Sequence, residues 1–272
     1  MRRKPWNQDG QAAVESAIVF PLGVFMMLGI IQLTLIQQSR LMLEYAAFNA
    51  ARAGVVWNGE PAKMERAAII SLLPTLPSLP FVDDGQKIRV DEPELLLKRY
   101  LFIRGANTLG GALKLQLIKV ETLNPTTDDF QNGKEEIDFD MVGDGLAARQ
   151  KSQLTIRLTY FYDLRLPIIN KFFFETWLAG LAGVKLGGFD PFRPNIKYVP
   201  GTDSMTVRMG IEAAKAKTNC KFSGIERSTL LGLIALGKVS GKYYMPLVTT
   251  YTMRMQSSFF KRFASAKPKS CN

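Results

Sequence analysis

The most pronounced pattern in this chain of 272 residues is an uncharged, largely apolar run close to its N-terminus. Residues 16–39 contain no acidic or basic side chain, and a helix of that length would extend about 36 Å at about 1.5 Å per residue. Such a helix can cross the hydrocarbon core of a membrane, which is about 30 Å thick. The pattern predicts one transmembrane helix, kinked at Pro21. The small residues at 41–56 predict that this helix continues outside the membrane.

The basic residues before this run predict its orientation in the membrane. Arg2, Arg3 and Lys4 precede it, so the positive-inside rule places the N-terminus in the cytoplasm and the residues after 40 across the inner membrane. A secretory signal is an alternative, but the apolar core of such signals is about 7–15 residues long, and no small-x-small cleavage site directly follows this run. A plain, uncleaved membrane anchor stays open as a second alternative.

Beyond residue 57 the pattern alternates between helical and strand-like segments. Helical spacing predicts three helices, at 63–73, 170–183 and 226–236, while 95–103 fits a helix or a strand. Alternating apolar positions predict five strands, at 88–90, 113–122, 152–166, 205–211 and 243–256. The remaining segments include a loop or hairpin tip at 124–145 and a basic tail at 259–272. Strands separated by long irregular segments predict an α+β fold with an antiparallel sheet.

A single carboxylate, Glu15, lies at the start of the apolar run, five residues after Gly10. An ionised side chain costs about 2.5 kcal/mol or more at the centre of a bilayer, and less near its edge. Glu15 could therefore be a tolerated boundary charge. If the chain were cut between Gly10 and Gln11, however, a new α-amine would appear one helical turn away. Glu15 could then pair with the amine of a neighbouring subunit and favour assembly in lipid.

The segment GQAAVESAIVFPLGVFMMLGIIQLTLIQQSRLMLEYAAFNAARAG begins at Gly10 and resembles the TadE-like pseudopilins of the tight-adherence (Tad, or Flp-type) pilus system. The shared features are the leader ending in glycine, the glutamate at Glu15, the early proline at Pro21 and the AARAG phrase at 50–54. The resemblance implies cleavage by a dedicated prepilin peptidase. It also implies a minor pilin or assembly factor rather than an enzyme, with the inner membrane and other pilins as partners.

Two further segments resemble the family more weakly. Residues 154–168 resemble its strand that is followed by a proline, and residues 243–257 resemble its closing strand. Ser16 follows Glu15 where major Flp pilins carry an aromatic residue, and the chain is much longer than those pilins. The resemblance therefore implies a minor subunit, divided into a leader at 1–10, a transmembrane and extended helix at 11–56, and a periplasmic domain at 57–272.

The net charge of +11 is unevenly distributed along the chain. Residues 121–144 contain eight acidic side chains against one basic, whereas residues from 185 onwards contain fifteen basic side chains against four acidic. A basic region often binds nucleic acid, but outside the inner membrane we expect no nucleic-acid partner. A solvated surface, or a surface that binds anionic headgroups, cell-wall polymers or acidic subunits, fits that compartment better.

Catalytic and metal-binding patterns are missing from the sequence. The chain contains no histidine, which excludes Ser-His-Asp catalysis and HExxH zinc sites. Residues 232–238, GLIALGK, match the P-loop spacing, but Val239 follows in place of Ser or Thr. The acidic group Asp138, Asp140 and Asp144 lacks EF-hand spacing. We therefore predict no enzyme activity, metal or cofactor.

Two cysteines, Cys220 and Cys271, are the remaining candidates for covalent chemistry. In an oxidising periplasm they could form one disulfide that ties the tail to the domain. Closing a loop of this length can stabilise a fold by several kcal/mol, about 4 in the chain-entropy estimate. Two free thiols are an equally open alternative, because Cys271 lies next to the last residue and chain ends often fray.

Overall fold

The computed structural model describes residues 9–76, 93–112, 116–130, 135–140, 152–181, 229, 232–235, 237 and 241–265. The helices are α1 (Asp9–Val56), α2 (Pro61–Leu72), α3 (Pro93–Ala112) and α4 (Ile169–Leu181). The strands are β1 (Ile118–Asn124), β2 (Glu136–Ile137), β3 (Gln153–Asp163), β4 (Tyr244–Arg254) and β5 (Phe259–Phe260). Short 3-10 turns are formed by Leu73–Thr75, Thr127–Asp129 and Lys261–Phe263.

The main sheet has three strands in the order β1-β3-β4, and both pairings are antiparallel. Strand β3 lies in the middle and pairs with β4 along its whole length, from Gln153 opposite Arg254 to Asp163 opposite Tyr244. Strands β2 and β5 form a separate antiparallel pair. A long N-terminal helix followed by helices and an antiparallel sheet confirms the predicted α+β fold.

The C-terminal half of α1 packs against α2 and the sheet. Its contact face consists of small residues that are completely buried, namely Ala46, Ala47, Ala50 and Ala51. A Cβ atom on Gly54 would lie 2.5 Å from Cδ2 of Leu154 in β3 and 2.6 Å from Sδ of Met64 in α2. The small residues of the AARAG phrase are therefore needed within the chain, where two elements cross α1 closely.

The polar side chain of Asn107 connects α3 to the outer edge of β1. It accepts a hydrogen bond from the backbone N–H of Ile118 at 3.0 Å and donates one to the Ile118 carbonyl at 2.8 Å. Its amide also donates to Glu65 of α2. Asn107 thus gives the edge strand the two hydrogen bonds that a further strand would provide.

Most predicted elements are confirmed with shifted ends. Helices predicted at 63–73 and 170–183 correspond to α2 and α4, and strands predicted at 152–166 and 243–256 correspond to β3 and β4. The ambiguous segment 95–103 is helical. The described residues of the predicted helix 226–236, residues 229 and 232–235, are helical. The strands predicted at 88–90 and 205–211 lie outside the described residues.

Two predictions were wrong in their extent. The strand predicted at 113–122 is observed as Ile118–Asn124; residues 116–117 precede it outside any strand, and residues 113–115 lie outside the described residues. The predicted basic tail is ordered at its start: Phe259 is 1% exposed and belongs to the core, and β5 pairs with β2. Two consecutive aromatic residues in a basic segment bury more apolar surface than the charge pattern indicated.

Candidate assembly surface

Helix α1 has two parts that differ in what surrounds them. From residue 13 to 31 its side chains are mostly exposed, and they are almost all apolar. From Gln32 onwards one face is buried by the rest of the chain, through Ile36, Ser39 and Leu43. The stretch Ala13–Val56 is long and apolar enough to cross a membrane. The exposed N-terminal part is therefore the surface available to lipid or to other helices.

The predicted processing and assembly residues all lie at the N-terminal end of α1. The helix begins at Asp9, so Gly10, Gln11 and Glu15 are helical. Gly10 and Glu15 are exposed, and a Cβ atom on Gly10 would have no neighbour within 4 Å. The helix continues through Pro21 without interruption. Most of the predicted leader, residues 1–8, lies outside the described residues.

A buried polar contact joins α1 to the segment that precedes α4. The Gln32 side chain is 0% exposed, and its Oε1 accepts a hydrogen bond from the backbone N–H of Leu166 at 3.2 Å. Leu166 precedes α4, and the ring of Phe172 in α4 contacts the ring of Phe25 at a centroid distance of 5.5 Å. Helix α4 thus contacts α1 at Phe25, which lies seven residues before Gln32 toward the N-terminus.

The other end of α1 is held by the turn that follows β4. The Asn58 backbone N–H donates to Oγ of Ser257 at 3.0 Å, and its side-chain amide donates to the Ser258 carbonyl at 2.7 Å. The Ser257 hydroxyl in turn donates to the Val55 carbonyl at 2.9 Å. These bonds satisfy backbone groups that a helix end leaves unpaired. They hold the turn after β4 against the C-terminal end of α1.

Three ionisable side chains of β3 and β4 have pKa values that are raised by burial. Burial raises the pKa of Tyr160 to about 12, and burial also raises the pKa values of Asp163 and Tyr244. The Tyr160 hydroxyl donates to the Thr75 carbonyl at 3.4 Å, and Arg165 donates to the same oxygen at 2.6 Å. The hydrogen bonds from Tyr160 and Arg165 thus join the 3-10 turn after α2 to β3 and the residues that follow it.

The other candidate sites were only partly placed. The backbone N–H of Asp140 donates to Oδ1 of Asp138 at 3.1 Å, a local turn, whereas Asp144 lies outside the described residues. In the described ranges no group of acidic or sulfur side chains is arranged to hold a metal ion. The described residues of 232–238 are helical, which disagrees with a phosphate-binding loop. Cys220 and Cys271 lie outside the described residues, so their disulfide stays a prediction.

A family model described as TadE-like protein matches residues 10–52. The match covers 43 of the 272 residues, so it shows that this N-terminal segment is similar to TadE-like proteins. No curated protein and no solved structure matches the chain significantly. The TadE-like match begins at Gly10 and includes Glu15, Pro21 and most of the small residues of α1. The similarity to TadE-like proteins suggests a Tad pilus-related, minor-pilin-like role.

The TadE-like segment covers the exposed part of α1 and most of its buried continuation. It stops before β3 and β4, the two strands whose sequences resemble the family more weakly, and the structure pairs these two strands with each other. Sequence reasoning missed Gln32 and its contact with Leu166. A signal was present, because residues 17–31 have no polar side chain and Gln32 is the first one after them.

Proposed function

We propose that this chain is a minor pilin of a Tad pilus assembly or secretion apparatus. Its N-terminus would lie in the cytoplasm, α1 would cross the inner membrane, and the α+β domain would lie in the periplasm. A prepilin peptidase would cut between Gly10 and Gln11. The protein would act by assembly with other pilins rather than by catalysis, with neither a cofactor nor nucleic acid as a partner.

The observation that carries this proposal is the exposed apolar half of α1 within a TadE-like segment. Its large side chains, from Val14 to Ile31, are exposed on several sides of the helix, as a helix in lipid or in a helical bundle requires. Gly10 and Glu15 stand at its start with the spacing of a prepilin. The basic residues before Gly10 support a cytoplasmic N-terminus.

After cleavage, Glu15 would become the assembly residue. A carboxylate in lipid is costly without a partner, and the new amine of Gln11 on a sister subunit would neutralise it. Pairing would be satisfied only when two subunits stand in the correct register. This gives a physical reason for a charged residue at the edge of an apolar span.

The N-terminal mass of the membrane-extracted protein tests the proposal, in cells that carry a Tad system. We expect the mature chain to begin at Gln11, and Gly10→Ala to retain the leader. Gly23→Ala is the matched control, because both glycines lie in α1 and an added Cβ would meet nothing within 4 Å at either. A wild-type chain that keeps residues 2–10 would instead support the alternative, an uncleaved single-pass envelope protein with a scaffold or binding domain.

A further inference from the structure

The exposed surface of α1 is apolar up to Ile31 and becomes mixed beyond the buried Gln32, where polar side chains appear beside the exposed Leu33. Apart from the polar residues at 15 and 16, the exposed side chains of 13–31 are apolar, whereas those of 33–40 include Thr34, Gln37 and Gln38. From residue 13 to 31 the helix rises about 27 Å. That length is close to the thickness of a hydrocarbon core, about 30 Å. The far edge of the membrane should therefore lie near Gln32.

Helix α4 extends past that edge, toward the N-terminal end of α1 and into the expected depth of the membrane. The Phe172 ring meets the Phe25 ring edge-on, at an interplanar angle of 79°. Phe25 precedes Gln32 by seven residues, which is about 10 Å along the helix axis. Phe172 is 52% exposed beside α1 at this depth. An apolar face that enters a membrane interface is typically buried by about 5–10 Å, so Phe172 lies at a depth typical of such a face.

The turn before α4 holds a second apolar side chain outward. Ile168 is 73% exposed and has a φ of 71°, a conformation that strains a β-branched residue and suits glycine or asparagine. The turn is attached to α1 because Leu166 donates to Gln32. The chain therefore carries a large, exposed apolar side chain at a position where glycine would be less strained.

We propose that Ile168 and Phe172, together the α4 edge, insert into the membrane leaflet on the side of the soluble domain. The inference rests on the proposed membrane anchoring of α1. The occupant is lipid acyl chain, because the α4 edge is continuous at Phe25 with the apolar surface of the span. The neighbouring exposed Lys171, whose Nζ lies 3.9 Å from a carboxylate oxygen of Glu175, has a long stem that can carry its amine to the lipid headgroups.

This second attachment would restrict how the domain moves on the membrane. Because the domain is held to α1, a domain joined to lipid only through α1 can tilt toward or away from the membrane together with the span. Insertion of the α4 edge adds a second point of contact and keeps the side of the domain that carries Ile168 and Phe172 against the membrane. The domain would then present the same surfaces to every incoming pilin, before any filament contact is made.

Depth-dependent fluorescence quenching tests the proposal on the full chain, with Cys220 and Cys271 replaced by serine. Single cysteines at Ile168→Cys, Val24→Cys and Ile70→Cys would carry an environment-sensitive dye in phosphatidylethanolamine/phosphatidylglycerol vesicles, with or without acyl-brominated lipid. Ile70 is the matched control, since this isoleucine is 52% exposed and lies on α2, which is part of neither the proposed span nor the α4 edge. Val24 reports the span itself. Phe172→Cys replaces Ile168→Cys if that variant does not fold.

We expect brominated lipid to quench the dye at Ile168 several-fold more than the dye at Ile70, and nearly as much as the dye at Val24. Quenching at Val24 with none at Ile168 would contradict insertion of the α4 edge and would still support the membrane anchoring of α1. No quenching at Val24 or at Ile168 would contradict the proposed membrane anchoring of α1 itself. If the dye at Ile168 is shielded from lipid, and the shielding disappears as protein is diluted in lipid, a second copy covers the surface and the proposal is wrong.

Discussion

Gly59 lies directly against the ring of Phe259, so closely that a Cβ atom on the glycine would overlap the ring. Gly59 also has a φ of 76°, a conformation that side chains disfavour. It ends the turn after α1, while Phe259 begins β5, about 200 residues further along the chain. This contact joins the N-terminal helix to the C-terminal segment at the same place as the Asn58 hydrogen bonds.

Substitution of Gly59 should therefore destabilise the fold through two separate effects. We expect Gly59→Ala to lower the free energy of unfolding by roughly 2–4 kcal/mol, from the strained φ and from overpacking against Phe259. Gly241→Ala is the matched control, because Gly241 has a φ of 67° but no neighbour within 4 Å of an added Cβ. Denaturant unfolding of the full chain in mild detergent measures both. Equal losses in the two variants would contradict the Phe259 contact.

The Gly59 contact illustrates what the sequence could and could not predict. Periodicity located α1, α2, β3, α4 and β4, because each is long and has a regular apolar pattern. Gly10 and Glu15 were identified because their meaning depends on local spacing. The Gln32–Leu166 and Gly59–Phe259 contacts join residues far apart in the chain. No local pattern encodes such pairings, since tertiary packing decides them.

Removal of the Asn107 side chain should loosen α3 from the sheet. Asn107→Ala would leave the N–H and C=O of Ile118 without their bonds to α3, at a site that is 1% exposed. We expect a loss of about 2 kcal/mol in unfolding free energy and faster amide exchange in α3. The control is Thr108→Ala, which removes an exposed hydroxyl that bonds only within the helix, to the Arg104 carbonyl. A loss at Asn107 no larger than at Thr108 would refute the link.

Tyr160 should make the fold sensitive to alkaline pH. Its pKa is about 12 in the folded chain and about 10 when unfolded, so the folded state holds its proton more tightly. That stabilisation is complete below pH 10 and is lost as the pH rises from about 10 to about 12. The loss is roughly 3 kcal/mol for two pKa units.

Tyr160→Phe tests this directly. Near pH 7 we expect a loss of only about 1 kcal/mol or less, because Arg165 still donates to the Thr75 carbonyl. Between pH 10 and 12 the unfolding free energy of the variant should fall less than that of the wild type. Tyr45→Phe, at an exposed position on α1, should follow the wild type throughout. Parallel curves for wild type and Tyr160→Phe would rule out the buried phenol as the cause.

Glu15→Gln separates assembly from processing. The substitution keeps the size of the side chain and the prepilin leader but removes the charge that would pair with the new amine of Gln11. We therefore expect normal cleavage after Gly10, since the leader is intact. Assembly should fall at least several-fold, because the neutral amide gives up the charged partner that favours correct register in lipid.

The measurement is the fraction of mature chain that is recovered with other pilins, in filaments sheared from cells or in detergent-stable complexes. Glu44→Gln is the control, since Glu44 is an exposed carboxylate on the same helix beyond the apolar part, and its loss should leave recovery unchanged. Normal recovery of Glu15→Gln would reduce Glu15 to a tolerated boundary charge. Failure of cleavage in Glu15→Gln would instead place this residue in recognition by the peptidase, and would separate its role from subunit pairing.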